Sequence, residues 1–178
     1  MKPERQKLFP SDEKTAQQVL EQLFRKQHAR LVQFAIRLCN DHFAAEEIVM
    51  DLFMDLWKRR DTISLSTNEN AYLNRAVINK VYDYLKKKNK ADQTISYPEK
   101  APLVVNTNIQ DKALFAKELE ERIQAVIEKL PPRCKLIFKL NRFEQRSYKE
   151  IAEDLNISPK AVEKQISRAL SILRKAIF

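Results

Sequence analysis

The side chains best suited to nucleophilic, acid–base or metal chemistry near neutral pH are scarce in this chain. There are two histidines and two cysteines among 178 residues. His28 and His42 have no carboxylate, serine or cysteine partner at a spacing that suggests catalysis, and read as surface or helix-end residues. Cys39 and Cys134 lie far apart in helical patterns and form no C-x-x-C, so they read as core thiols rather than ligands or a disulfide. Glycine is absent altogether, which removes the tight turns and close backbone approach that P-loops and dinucleotide-binding folds require. No catalytic residue, metal site or cofactor is expected, and the chemistry left is that of binding. Lys plus Arg number 33 against 24 for Asp plus Glu, a net charge of +9, which points to an anionic partner.

Three stretches carry that binding chemistry. The first is Ser147 to Ile177. Ser147 and Glu150 form the S-x-x-E pattern of a capping box, and Ile151, Ala152 and Leu155 give the helix behind it a buried face. Asn156 tolerates the left-handed backbone of a tight turn. Ser158 then caps a second helix that begins at Pro159. Val162, Ile166, Ala169, Leu170 and Leu173 are its apolar stripe, and Lys160, Glu163, Lys164, Ser167 and Arg168 fall on the other side. A short helix, a tight turn and a longer helix with a basic outer face make a DNA-binding helix-turn-helix. Arg133, Lys135, Lys139, Arg142, Arg146 and Lys149 precede or open it and are expected to flank the duplex as phosphate contacts.

The second stretch is the helix expected over about 69–89. Leu73, Val77, Val81 and Leu85 form its ridge, and Arg75, Asn79, Lys80, Tyr82 and Asp83 its other side. Basic residues interleaved with Tyr72, Tyr82 and Tyr84 suit a single strand, since lysines track phosphates and flat rings stack on bases. A solvated helix end with its tyrosines in the core fits the same pattern. The third is the helix expected over about 44–60. Its ridges are Ile48, Leu52, Leu56 and Val49, Phe53, Trp57, and its remaining face shows Glu47, Met50, Asp51, Met54, Asp55 and Lys58. Exposed methionines among carboxylates suit a protein partner, although a plain charged surface is the other reading of the pattern.

The elements that must position these faces are all helical. Residues 1–14 read as a loose tail. Stripes over about 12–28 and 29–39 predict two helices ahead of the Asp/Met helix, and 61–70 is a polar loop. Residues 93–110, with two prolines and no helical period, read as a flexible linker. The expectation is therefore an all-α protein of two small helical domains, 15–92 and 111–178, each of them basic. In the second, a helix over about 111–130 carries Leu114, Leu119, Ile123, Val126, Ile127 and Leu130. Leu130-Pro131-Pro132 breaks it and starts another with Leu136, Ile137 and Leu140, and Phe143 is expected to plug the gap before the helix-turn-helix. No run approaches a membrane span and the N-terminus has no signal-peptide pattern, so a cytoplasmic location without membrane insertion is expected.

The assembled motifs resemble the extracytoplasmic-function sigma factors. A-E-E-I-V-M-D-L-F-M-D-L-W (Ala45 to Trp57) is similar to that family's polymerase-binding motif, and A-Y-L-N-R-A-V-I-N-K-V-Y-D-Y-L-K-K (Ala71 to Lys87) to its promoter-melting helix. L-P-P-R-C-K-L-I-F (Leu130 to Phe138) and S-Y-K-E-I-A…I-S-P-K-A-V (Ser147 to Val162) are similar to its upstream-box reader. The L-P-P-R-C-K run looks like the group abundant in Bacteroidetes. Met50 replaces a frequent Gln, Ala161 a frequent Thr, and Gln145 a frequent turn Gly. The resemblance implies core RNA polymerase and promoter DNA as partners, with an anti-sigma factor as restraint. It assigns Glu47, Met50, Asp51, Met54, Asp55 and Lys58 to polymerase, and Arg75, Asn79, Lys80, Tyr82 and Asp83 to the downstream (−10) element. An extruded base would sit against the 61–70 loop. Arg146, Ser158, Lys160, Glu163, Lys164, Ser167 and Arg168 fall to the upstream (−35) element. A stand-alone helix-turn-helix regulator with an N-terminal sensor or dimerisation domain is the alternative.

Overall fold

The computed structural model describes residues 6–65, 68–91 and 109–177. Two compact units are present, Met1–Leu85 and Lys86–Phe178. The division falls inside a helix rather than at the expected 92/93 boundary. Residues 92–108, which hold most of the expected linker, and residues 66 and 67 of the polar loop lie outside the described residues, as do residues 1–5.

In the first unit β1 (Gln6–Lys7) is followed by α1 (Glu13–Cys39), α2 (His42–Lys58), β2 (Ser64–Leu65) and α3 (Glu69–Ala91), whose last six residues run past the division. α1 starts where Asp12 accepts a hydrogen bond from the Thr15 amide at 2.8 Å. It is one helix of 27 residues, not the two expected. Nothing near His28 breaks it: no proline intervenes, and the buried stripe Leu23, Leu31, Val32, Phe34, Ala35, Leu38 is continuous. Asn40, at φ 55°, ends it in the left-handed region. Asp41 then caps α2, accepting from the Ala44 amide at 3.1 Å. The core is built from Leu31, Ala35 and Leu38, from Ala45, Val49 and Leu56, and from Leu73, Val77, Ile78 and Val81. Each large aliphatic contributes roughly 1.5–3 kcal/mol on burial.

Polar ties set the register of these helices. Buried Gln27 donates to Asn70 Oδ1 at 2.8 Å, and Arg30 donates to Asn74 Oδ1 at 2.8 Å. The Tyr84 hydroxyl donates to Asp41 Oδ2 at 2.7 Å, joining α3 to the cap of α2. The N-terminal residues correct the tail reading. β1 pairs antiparallel with β2, Gln6 with Leu65 and Lys7 with Ser64, and Phe9 is only 2% exposed.

The second unit holds α4 (Ile109–Glu128), α5 (Pro132–Arg142), α6 (Tyr148–Asp154) and α7 (Pro159–Ile177). Side chains at 109–115, Leu114 among them, are outside the described residues. Val126, Ile127, Leu130, Leu136, Ile137, Leu140, Ile151, Val162, Ile166 and Ala169 form the core. Leu155 is half-buried. Two positions depart from expectation. Leu170 is 51% exposed, because Val162, Ile166, Ala169 and Leu173 already cover the buried face of α7. Phe143 is exposed rather than a plug, because it lies at the end of α5, where the chain reverses.

That reversal has a specific geometry. The Arg146 amide donates to the Leu140 carbonyl at 3.1 Å, with Gln145 between them at φ 53°. The Ile157 amide donates to the Ala152 carbonyl at 2.9 Å, with Asn156 at φ 51°. The second is a Schellman closure, its bond spanning five residues, whereas the first closes a turn one residue wider. Asn suits the left-handed position, whereas Gln, with its longer side chain, pays a Cβ penalty of about 1–2 kcal/mol there. Gln145→Gly is expected to raise the stability of the second unit by roughly 1 kcal/mol, part of the relief being offset by unfolded-state entropy. Chemical denaturation of the full chain, followed by hydrogen exchange in α5 and α6, reads this. An unchanged midpoint would show that the turn is unstrained.

Candidate nucleic-acid and polymerase interfaces

The α2 face is displayed as its spacing predicts. Glu47, Met50, Asp51, Met54, Asp55 and Lys58 are all exposed. The sequence reading missed Phe43, which is 88% exposed in the first turn of α2. Phe43, Glu47, Met50 and Met54 follow helical spacings of four, three and four, so one stripe joins the ring to both methionines. Stepping back from Met54 at helical intervals would have found it.

Asp55 differs from its neighbours on that face. Its Oδ2 meets Lys80 Nζ at 2.6 Å, tying α2 to α3. The hydrogen bond from Lys80 is the main reason the Asp55 carboxyl titrates below the usual carboxylate range, with the lysine's charge adding to it. The carboxylate is favoured by folding, so the tie contributes above that range and is lost as the pH falls through the lowered value. Both residues were expected to face outside partners, and each meets the other first. Asp51 is exposed and has no internal partner among the described residues.

On α3, Arg75, Asn79 and Asp83 are exposed at intervals of four residues, so they form one row, with half-buried Tyr82 beside it. Tyr84 is committed to Asp41. Between α2, the turn after it and α3 lies a cavity of about 110 Å³, lined by Leu52, Asp55, Leu56, Arg59, Ile63, Tyr72, Ala76 and Lys80. An apolar floor, a phenol ring and a rim of charges could hold a flat polar group.

In the second unit the capping box is complete. Ser147 Oγ accepts from the Glu150 amide at 3.3 Å, and the Ser147 amide donates to Glu150 Oε2 at 2.9 Å. The bond from the Ser147 hydroxyl is the largest cause of a lowered Glu150 pKa. Ser158 Oγ accepts from the Ala161 amide at 3.2 Å, capping α7. Lys160, Glu163, Lys164, Ser167 and Arg168 are exposed along one side of α7, opposite its buried stripe. Arg133, Arg142 and Lys149 are exposed as expected of phosphate contacts.

Three other basic residues are not. Lys139 is 2% exposed and donates to Glu128 Oε1 at 2.8 Å. Lys135 reaches Glu128 Oε2 at 3.4 Å, and burial pulls its pKa down against the pull of that carboxylate. Arg146 is half-buried in an ion pair with Asp154, and its carbonyl accepts from the Asn141 amide group at 2.9 Å. Arg146 therefore braces α6 against the preceding turn instead of standing free at the surface.

Family profiles match both units. Residues 23–91 match Sigma-70 region 2, and residues 120–173 match Sigma-70, region 4. The chain belongs to the sigma-70 family. As a sigma factor of the extracytoplasmic-function group it binds core RNA polymerase and directs promoter recognition and transcription initiation. The stand-alone regulator reading is set aside, because the N-terminal helices are region 2 rather than a sensor. The sigma factor is 25% identical over 155 residues to the ECF RNA polymerase sigma factor SigW of Bacillus subtilis, covering 83% of each protein. Its fold is shared by CnrH, solved with the cytosolic domain of CnrY (TM-score 0.53, 21% identity, 89% of this chain and 87% of that one). It is shared equally by the sigma factor RpoE of Bartonella quintana, solved with the anti-sigma factor NepR (TM-score 0.54, 20% identity, 88% and 94%). Among the described residues, no helix is long and apolar enough to cross a membrane.

Proposed function

We propose that this sigma factor divides its work between the two units. The outer stripe of α2, from Phe43 to Lys58, grips core polymerase. α3 and the turn before it take the downstream strand, with Asn79 and Arg75 as first contacts and the cavity receiving an extruded base. α7 enters the major groove of the upstream box. There Arg168 is suited to a bidentate contact with guanine and Glu163 to accepting from cytosine. Ser158, Lys160, Lys164 and Ser167 surround them at the phosphates. The polymerase performs the chemistry, and the protein works in the cytoplasm. An anti-sigma factor is its restraint, as NepR is for the sigma factor RpoE with which it was solved.

The observation that carries the α7 assignment is the clean division of that helix. Five polar residues stand exposed on one side while Val162, Ile166 and Ala169 are buried on the other. Holoenzyme assembled from core polymerase and the full chain tests it. Arg168→Ala should cost roughly 1–3 kcal/mol in upstream-box affinity and relax preference at one base pair. Uniform weakening across all upstream sequences would make Arg168 a phosphate contact instead. If the chain fails to make core enzyme initiate at any promoter, the division of labour falls as a whole.

A further inference from the structure

The N-terminal residues have a role that the promoter contacts do not explain. A ladder of two residues per strand is marginal by itself. Here it is extended by the Leu8 amide, which donates to the Ile63 carbonyl at 3.2 Å, and anchored by Phe9, buried to 2%. The segment held this way is the turn after α2. Arg60 within it meets Glu13 of α1 at 4.0 Å and lies 4.5 Å over the Trp57 ring. Inside the turn, the Thr62 and Ile63 amides donate to the Arg59 carbonyl at 3.0 and 3.1 Å. Those bonds fold the turn locally but leave the Ile63 carbonyl to the N-terminal segment. Ile63, 4% exposed, also lines the α2–α3 cavity, together with Arg59, Tyr72 and Lys80.

We propose that residues 6–9 are a positioning strap that holds the 59–65 turn, and with it the Arg59 and Ile63 side of the cavity, in the conformation that receives the downstream promoter strand. The inference rests on the downstream-strand reading of α3. A binding wall on a loop must be held in place by the packing behind it, since about 1 Å of looseness is enough to lose a contact. The strap supplies that support from the opposite end of the unit's sequence. Leu8 and Phe9 touch no nucleic acid and act only through the turn.

Leu8→Pro is the sharpest probe. It removes one amide donor and suits an extended residue before it, such as Lys7. Phe9→Ala removes the anchor, and Phe9→Leu should largely restore it. Each full-chain variant is assembled with core polymerase. Affinity is measured for core enzyme, for an upstream-box duplex and for a single-stranded oligonucleotide carrying the downstream box of a promoter the holoenzyme uses. Hydrogen exchange follows residues 59–65. The expected result is faster exchange in the turn and a roughly 10-fold weaker grip on the oligonucleotide, with the other two affinities unchanged. Asn79→Ala runs in parallel. If Asn79→Ala weakens the oligonucleotide and Leu8→Pro does not, the strap is overturned and the α3 site stands. If neither does, the α3 reading fails and the strap falls with it. Unchanged exchange in the turn, or loss of all three affinities together, also overturns it, the latter by showing general unfolding of the unit.

Discussion

Glu128→Ala is expected to cost the second unit roughly 3–5 kcal/mol, enough to unfold much of it and abolish upstream-box binding. The reason lies in what the carboxylate holds. Lys139 Nζ is 2.8 Å from Glu128, and its side chain is 2% exposed. Lys135 shares the same carboxylate, and Gln124 donates to it at 3.1 Å. Removing Glu128 leaves an ammonium buried without its counter-ion, which is far costlier than the pair's own net worth. The burial that already lowers the Lys135 pKa shows that charge is disfavoured there. The defect should therefore shrink as the pH rises toward the lysine range, about 10. In the variant, Lys135, whose pKa burial already lowers, releases its proton at lower pH in the native state than in the unfolded chain. The unfolded state then binds more protons, and stability climbs with pH. Glu128→Leu with Lys139→Met should recover most of the loss, because an apolar pair of similar volume replaces a buried ion pair at little cost. Thermal and denaturant unfolding of the full chain at several pH values reads all three. A single variant as stable as wild type would mean that Lys139 reaches water despite its burial.

Asp51→Lys is expected to weaken core-polymerase binding by roughly 2–4 kcal/mol, about 30- to 1,000-fold, with the upstream-duplex affinity of the full chain unchanged. Asp51 is the clean probe of the α2 face because it is exposed without an internal partner among the described residues. Asp55 is not, since reversing its charge also breaks the tie to Lys80 that joins α2 to α3. The exposed ring of Phe43 and the two methionines supply the apolar part of the same stripe. Phe43→Asp should then add to the loss, as expected of an anchor at one end of a contact. Titration of labelled chain against core enzyme measures both. Wild-type affinity for Asp51→Lys would move the docking surface off α2.

The exposed faces proposed for binding were legible from spacing because each lies on a single helix. Glu47 to Lys58 and Lys160 to Arg168 repeat at three and four residues, and a helix turns such spacings into faces whatever packs behind them. Capped helix ends were equally legible, although the break expected near His28 is absent. The Ser147–Glu150 box, the Ser158 cap and the left-handed Asn40 and Asn156 depend on atoms within a few residues of one another. Even Gln145, conspicuous for standing where a turn glycine is common, sits at positive φ.

What the sequence determined by itself was therefore local: helix content, caps, and which residues share a face. Only tertiary structure decided which charges remain available to partners. Lys80 is claimed by Asp55, Lys139 by Glu128 and Arg146 by Asp154, although all three basic residues read as free cations in the chain. The same holds for the N-terminal residues, whose short polar run reads as a tail until Ser64 and Leu65 supply a strand to pair with. The physical reason is common to both. Periodicity and capping depend on neighbours along the chain, whereas an ion pair or a strand ladder depends on a partner brought close by folding, and composition counts charges without assigning them.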